Sequence, residues 1–166
     1  MKYLTGTEEK EAKRWMREAA DVAKDGLCLK ALNGTVIVND GKIIGSGYSG
    51  PALDDESNRT CKDDDTYDYS IKPRFDRTCC IHSEWRAIIN ALKNHPQKIK
   101  NSKLYYCGVD KEGNIKKSGK PYCTVCSRLA LESGIGEFLM WHEDGICAYP
   151  MDEYNKLSYS YLKKTL

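Results

Sequence analysis

From Thr7 to about Lys24, the apolar positions Trp15, Met16, Ala19, Ala20, Val22 and Ala23 recur at helical spacing, with acids just after Thr7. The pattern predicts an amphipathic first helix with Thr7 as its N-cap. Thr35-Val36-Ile37-Val38 and Lys42 to Tyr48 flank Asn39-Asp40-Gly41, which is the short-range signature of a β-hairpin. From Pro51 to about Cys80 the chain is polar, rich in Asp and broken by Pro73, with no sustained period. So long a connection inside a compact domain is usually functional or mobile. Glu84 to Lys93 returns to helical spacing through Trp85, Ile88, Ile89 and Leu92, placing His82 at the first turn of a second helix. Lys103 to Val109 reads as a third strand, with a turn at Asp110 to Asn114 leading to a short extra strand. Thr124 to Ser133, closed by Gly134, reads as a helix with Cys126 in its first turn. Glu137 to His142 is a fourth strand, and Met151 to about Lys164 a last helix. The order α-β-β-α-β-α-β-α predicts the α/β class: a three-layer α-β-α sandwich with a mixed central sheet covered on both faces. No internal repeat divides it, so a single domain is expected over residues 1–166.

Composition narrows the function classes. Charged residues of both signs are interleaved and the net charge is only +2. This argues against a dedicated nucleic-acid or membrane binder and leaves small-molecule substrates open. No apolar run approaches the roughly 20 residues that span a bilayer, and Met1 to Gly6 has no apolar signal core, so a cytoplasmic location is expected. The eight cysteines could suggest a disulfide framework. A Cys-x-x-Cys paired with a metal-type His argues instead for thiolates kept reduced. Cys28, Cys107 and Cys147 are read as buried small hydrophobes.

The chemistry concentrates in two short runs, His82-Ser83-Glu84 and Cys123-Thr124-Val125-Cys126. His82, Cys123 and Cys126 are three zinc ligands, and a catalytic zinc site keeps three protein ligands with a fourth position for water or substrate. Two helix N-termini meeting at the metal favour anions, and that lowers thiolate pKa. Zinc-bound water approaches a pKa of about 7. Glu84 is then placed as the proton shuttle. Two other readings stand beside this one. The first is a closed zinc knuckle with Cys79, Cys80 or Cys61 as fourth ligand. The second is a redox Cys-x-x-Cys, although the upstream His has no place in it. A second zinc on Cys61 with Cys79 or Cys80 lacks a nearby His.

The pairing of His-x-Glu with Cys-x-x-Cys is the signature of zinc nucleobase deaminases. On it, and on Trp15 to Ala20, Thr35 to Asp40, Ile43 to Pro51 and Ser127 to Ile135, the chain resembles the cytidine/deoxycytidylate deaminase superfamily, closest to its deoxycytidylate (dCMP) deaminase branch. The resemblance implies a cytidine deaminase-like fold, a Zn2+ cofactor and hydrolytic deamination of a cytosine-type nucleotide or nucleoside. It also implies a homo-oligomer, because relatives commonly assemble. A tRNA adenosine deaminase, a guanine-type deaminase and a non-catalytic zinc-binding interaction domain are the alternatives. The chain departs from the pattern at three places: Tyr122 separates Pro121 from Cys123, Ser49 stands where the branch has Asn, and the segment from Tyr106 to Pro121 is long, with Lys116, Lys117 and Lys120. Ser49 takes the place of a substrate contact in relatives. Tyr48, Tyr122 and Trp141 could stack on a base, while Trp85 reads as core. Arg59, Lys72, Arg74 and Arg77 could clamp a phosphate, although with Asp63-Asp64-Asp65 nearby they also read as a solvated loop balancing its own charge.

Overall fold

A computed structural model describes residues 1–29, 31–59 and 79–162. The predicted hairpin forms between β2 (Leu32–Asn39) and β3 (Lys42–Tyr48), joined by Asp40 and Gly41. Both turn residues have positive φ, 49° and 67°, as a two-residue hairpin loop requires. β6 (Lys103–Val109) pairs antiparallel with β2, and β8 (Glu137–His142) pairs parallel with β6. β9 (Gly145–Pro150) folds back antiparallel on β8, and β1 (Lys2–Tyr3) adds to β9. The sheet order is β1-β9-β8-β6-β2-β3, with the predicted short strand β7 (Ile115–Lys116) on β6. It is a mixed sheet, as the sequence order predicts. β1 and β9 are additions to that prediction: β1 is only two residues long, and β9 follows β8 through a two-residue turn that reads as part of a connection. A separate two-strand ladder joins β4 (Gly50–Pro51) to β5 (Cys80–Ile81).

Helix α1 (Gly6–Lys24) covers one face of this sheet, and α2 (Ser83–Asn94), α3 (Thr124–Glu132) and α4 (Met151–Leu162) cover the other. Period two explains how each strand serves both layers. Val36 and Val38 pack with the α1 residues Trp15, Met16, Ala19 and Ala23, whereas Ile37 packs with Ala87 and Ile88 of α2. Tyr105 and Leu104, Leu139 and Phe138, and Ile146 and Cys147 divide between the layers in the same way. α1 begins two residues earlier than expected: Thr5 precedes it without a side-chain cap bond, and Thr7 lies inside the first turn. Among the described residues no helix is long and apolar enough to cross a membrane.

Two glycines set the position of α2 on the edge strand. A Cβ on Gly45 would come within 2.4 Å of the Ala87 carbonyl oxygen, and one on Gly47 within 2.5 Å of the Ala87 nitrogen and 2.6 Å of the Ser83 carbonyl oxygen. Side chains at either position would lift the helix, so the missing Cβ atoms let its first turn rest on β3. The candidate site residues His82 and Glu84 lie at that end.

Candidate metal centre

His82 and Cys123 occupy equivalent places, each the N-cap of its helix. His82 is extended (φ −69°, ψ 147°) before α2, one position ahead of the first turn where the sequence placed it. Cys123 is extended before α3, and its sulfur accepts a hydrogen bond from the Cys126 backbone nitrogen at 3.4 Å. Cys-x-x-Cys spacing therefore acts as a helix cap, turning the Cys126 sulfur back towards Cys123 at 3.1 Å. His82 Nδ1 stands 3.1 Å from Cys126 Sγ and 3.6 Å from Cys123 Sγ. Among the described residues this is the one set of three potential metal ligands whose donor atoms lie within 4.8 Å of one another. One imidazole nitrogen and two thiol sulfurs converging from two helix N-termini are the soft, tetrahedral-type donor set that zinc selects.

The charges agree with that donor set. Hydrogen bonding from Cys126 and then from His82 lowers the Cys123 thiol to about 4 despite its burial. Its partner Cys126 is pushed well up by the bond to Cys123, by burial and by the Glu84 charge. His82 rises to about 9 through its hydrogen bond to Cys123, against the opposing effect of burial. A single cation held between the donors would replace this proton sharing, because zinc ligands bind as thiolate and neutral imidazole.

Glu84 lies in the first turn of α2 and is almost wholly buried. Desolvation raises its carboxyl above the usual range, although His82 and the Ser83 hydroxyl draw it back down. The Ser83 hydroxyl donates to Glu84 Oε2 at 3.1 Å. Thr35 Oγ1 lies 2.9 Å from Ser83 Oγ, and with the Ser83 proton given to Glu84 the Thr35 hydroxyl is the donor. A buried relay from strand β2 through Ser83 thus orients the carboxylate. Neither Thr35 nor Ser83 is singled out by motif spacing. Their signal is a polar residue ahead of the apolar run Val36-Ile37-Val38, and a small hydroxyl between ligand and carboxylate.

The family model for the cytidine and deoxycytidylate deaminase zinc-binding region matches residues 9–141. The chain belongs to this family. The fold is likewise that of solved deaminases. The dCMP deaminase of the cyanophage S-TIM5 shares 16% identity over 78% of this chain and 80% of that one, with a TM-score of 0.51. Its complex with dCMP and dUMP shares 18% over 81% and 82%, with a TM-score of 0.50. Cytidine deaminase from Burkholderia pseudomallei shares 12% over 86% and 94%, with a TM-score of 0.55. A comparison with curated proteins gives no match.

Against this deaminase-family frame the remaining candidate residues separate. Ser49 is buried; its hydroxyl donates to the Ala31 carbonyl at 2.7 Å and accepts from the Asn33 nitrogen at 3.1 Å, so its proton holds backbone together. Tyr48 donates to Asp54 at 2.7 Å and lies under the Arg86 guanidinium, which also pairs with Asp54. This triad clamps the turn after β3 to α2. Tyr122 is half-buried beside Cys123. Arg74 and Arg77, with Lys72 and Cys61, lie outside the described residues. Arg59 is turned onto Glu56 and the Leu27 carbonyl. Trp141 packs with the α1 layer under Lys117, on the sheet face opposite the metal centre, so stacking on a base there is ruled out by strand parity. Trp85, expected in the core, is half-buried with its ring 6.3 Å from His82. Cys107 and Cys147 are buried as expected, but Cys28 is half-buried. Its hydrogen bond is the first cause, ahead of burial, of the upward shift of the Cys80 thiol.

Proposed function

We propose that this chain is a hydrolytic deaminase of a cytosine-type nucleotide or nucleoside, with dCMP favoured, and that Glu84 is its catalytic acid and base. The observation that carries the reading is a buried carboxylate, oriented by Ser83, beside a convergent His82, Cys123 and Cys126 set. A closed structural zinc site has no use for such a carboxylate, because it would be a costly buried charge without a reaction to serve. When bound by His82, Cys123 and Cys126, zinc would lower the pKa of a water so that hydroxide is available near neutral pH.

Glu84 accepts the water proton and passes it to the ring nitrogen next to the carbon under attack. It then carries the hydroxyl proton to the departing amino group. The sum is one water and one cytosine ring consumed, one uracil ring and one ammonia released. The raised affinity of Glu84 for protons suits a group that must hold and release one in each cycle. Ser83 keeps the carboxylate aimed throughout, with Thr35 behind it.

Ammonia release from dCMP, deoxycytidine, guanine and short RNA tests the reading. The expected result is turnover of dCMP or deoxycytidine that Glu84→Gln reduces by about 10²–10⁴-fold while zinc content stays unchanged. Zinc retention without ammonia from any cytosine compound would overturn it.

A further inference from the structure

Among the described residues no helix rests on one row of the sheet beside the metal centre, and the strand registers say which side chains stand there. Gly47, Thr35 and Tyr106 lie opposite one another across β3, β2 and β6, directly beneath the first turn of α2. From Gly47 the helix runs towards Gly45. The next row in the other direction, two residues along, holds Asn33 on β2, Gly108 on β6 and Lys116 on β7. Around a Cβ built on Gly108, the nearest atoms are Asn33 Oδ1 at 3.1 Å, the Leu32 carbonyl at 3.9 Å and Lys116 Cβ at 4.0 Å. All three belong to the sheet itself, so among the described residues no helix packs onto this glycine.

Asn33 is oriented for donation. The Tyr106 hydroxyl donates to Asn33 Oδ1 at 3.0 Å, which fixes the amide and turns Nδ2 away with its two protons. No partner for Nδ2 is found among the described residues. Tyr106 itself is half-buried against the centre, close enough that Glu84 and the two ligand sulfurs raise its hydroxyl further after desolvation. Lys116 is exposed, and parity puts it on this face, because its neighbour Ile115 packs with the α1 layer. Asp110 is within electrostatic reach of Lys116, but its carboxylate already accepts from the Asn114 backbone and side chain. Two interstrand spacings separate Asn33 from Lys116, about 10 Å.

From this we propose that Asn33 and Lys116 are specificity-determining residues for a nucleoside 5′-monophosphate: Asn33 Nδ2 donates to a sugar oxygen and the Lys116 ammonium pairs with the phosphate. The proposal rests on the deaminase reading above for the position of the base. It moves phosphate recognition from the Arg74 and Arg77 segment to strand β7.

Calorimetric titration of zinc-loaded Glu84→Gln protein with dCMP and with deoxycytidine isolates binding from turnover. Adding Lys116→Glu is expected to raise the Kd for dCMP about tenfold or more while leaving that for deoxycytidine within about twofold. Adding Asn33→Asp keeps an acceptor for Tyr106 but removes the donor, and is expected to weaken both ligands about tenfold. Equal effects of Lys116→Glu on the two ligands, unchanged binding in Asn33→Asp, or no binding of dCMP by the parent protein would each overturn the proposal. If the binding pattern holds while wild-type protein releases no ammonia, the deaminase reading fails and the subsite stands. Ammonia release from dCMP at the wild-type kcat/KM by Lys116→Glu and by Asn33→Asp, each made with Glu84 intact, is the reverse case: the deaminase reading stands and the subsite fails.

Discussion

Tyr48 and Asp54 show how a residue's meaning depends on what faces it. Spacing made Tyr48 an aromatic near the centre and so a stacking candidate, yet its hydroxyl and ring are both engaged, by Asp54 and Arg86. Burial raises the Asp54 carboxyl, but bonds from Tyr48 and Arg86 outweigh it and leave the group below its ordinary value of 3.8. A depressed folded pKa contributes stability that is full above that ordinary value and is lost as pH falls through the folded one. Asp54→Asn should therefore lower the urea midpoint at neutral pH, with the gap to wild type closing below about pH 3.8, as read from denaturation at a series of pH values. The ligands His82, Cys123 and Cys126 were legible residue by residue, because metal coordination restricts both residue type and spacing. Thr35, Ser83, Asn33 and Tyr106 were not, because hydroxyls and amides serve equally well in ordinary sheets. Only their contacts set these four apart.

At the scale of the element, helix starts do most of the positioning. α2 was predicted from apolar periodicity and α3 from the run closed by Gly134, and both begin at a ligand used as the N-cap. What periodicity could not supply is the seat of α2 on β3, which depends on Gly45 and Gly47. Gly47→Ala should destabilise the fold by about 1–3 kcal/mol through overpacking. It should also weaken zinc binding, since the displaced turn carries Ser83 and Glu84 next to His82. Gly41→Ala, in the hairpin turn with φ 67° and open space around it, makes the control. Its cost is about 1 kcal/mol from backbone strain alone, and zinc affinity measured by competition with a chelating dye should not change. Strands β1 and β9 escaped the pattern for a plainer reason. Two residues carry no period, and β9, set off from β8 only by the two-residue turn Glu143-Asp144, falls inside the connection between the predicted strand ending at His142 and the predicted helix starting at Met151.

Across the whole molecule, the sheet joins parts that are far apart in the chain. Residues 82–84 and 123–126 meet because α2 and α3 lie on the same face, α3 packing against α4 through Ser127, Asn155 and Ser158. A metal linking two helix starts should then stabilise the fold as a ligand does. Stripping zinc with a chelator should lower the melting temperature by about 8–16 °C when free zinc had stood near a thousandfold its Kd. Calorimetry before and after readdition checks it, and Cys126→Ser should abolish the difference. The sequence by itself determined the class of fold, the helix and strand order and the zinc donor set, since periodicity and ligand spacing are local properties of the chain. Which face of the sheet each residue occupies was left to the tertiary structure. Strand pairing and register are long-range, and a shift of one residue would exchange Asn33, Lys116 and Trp141 between the metal face and the α1 face.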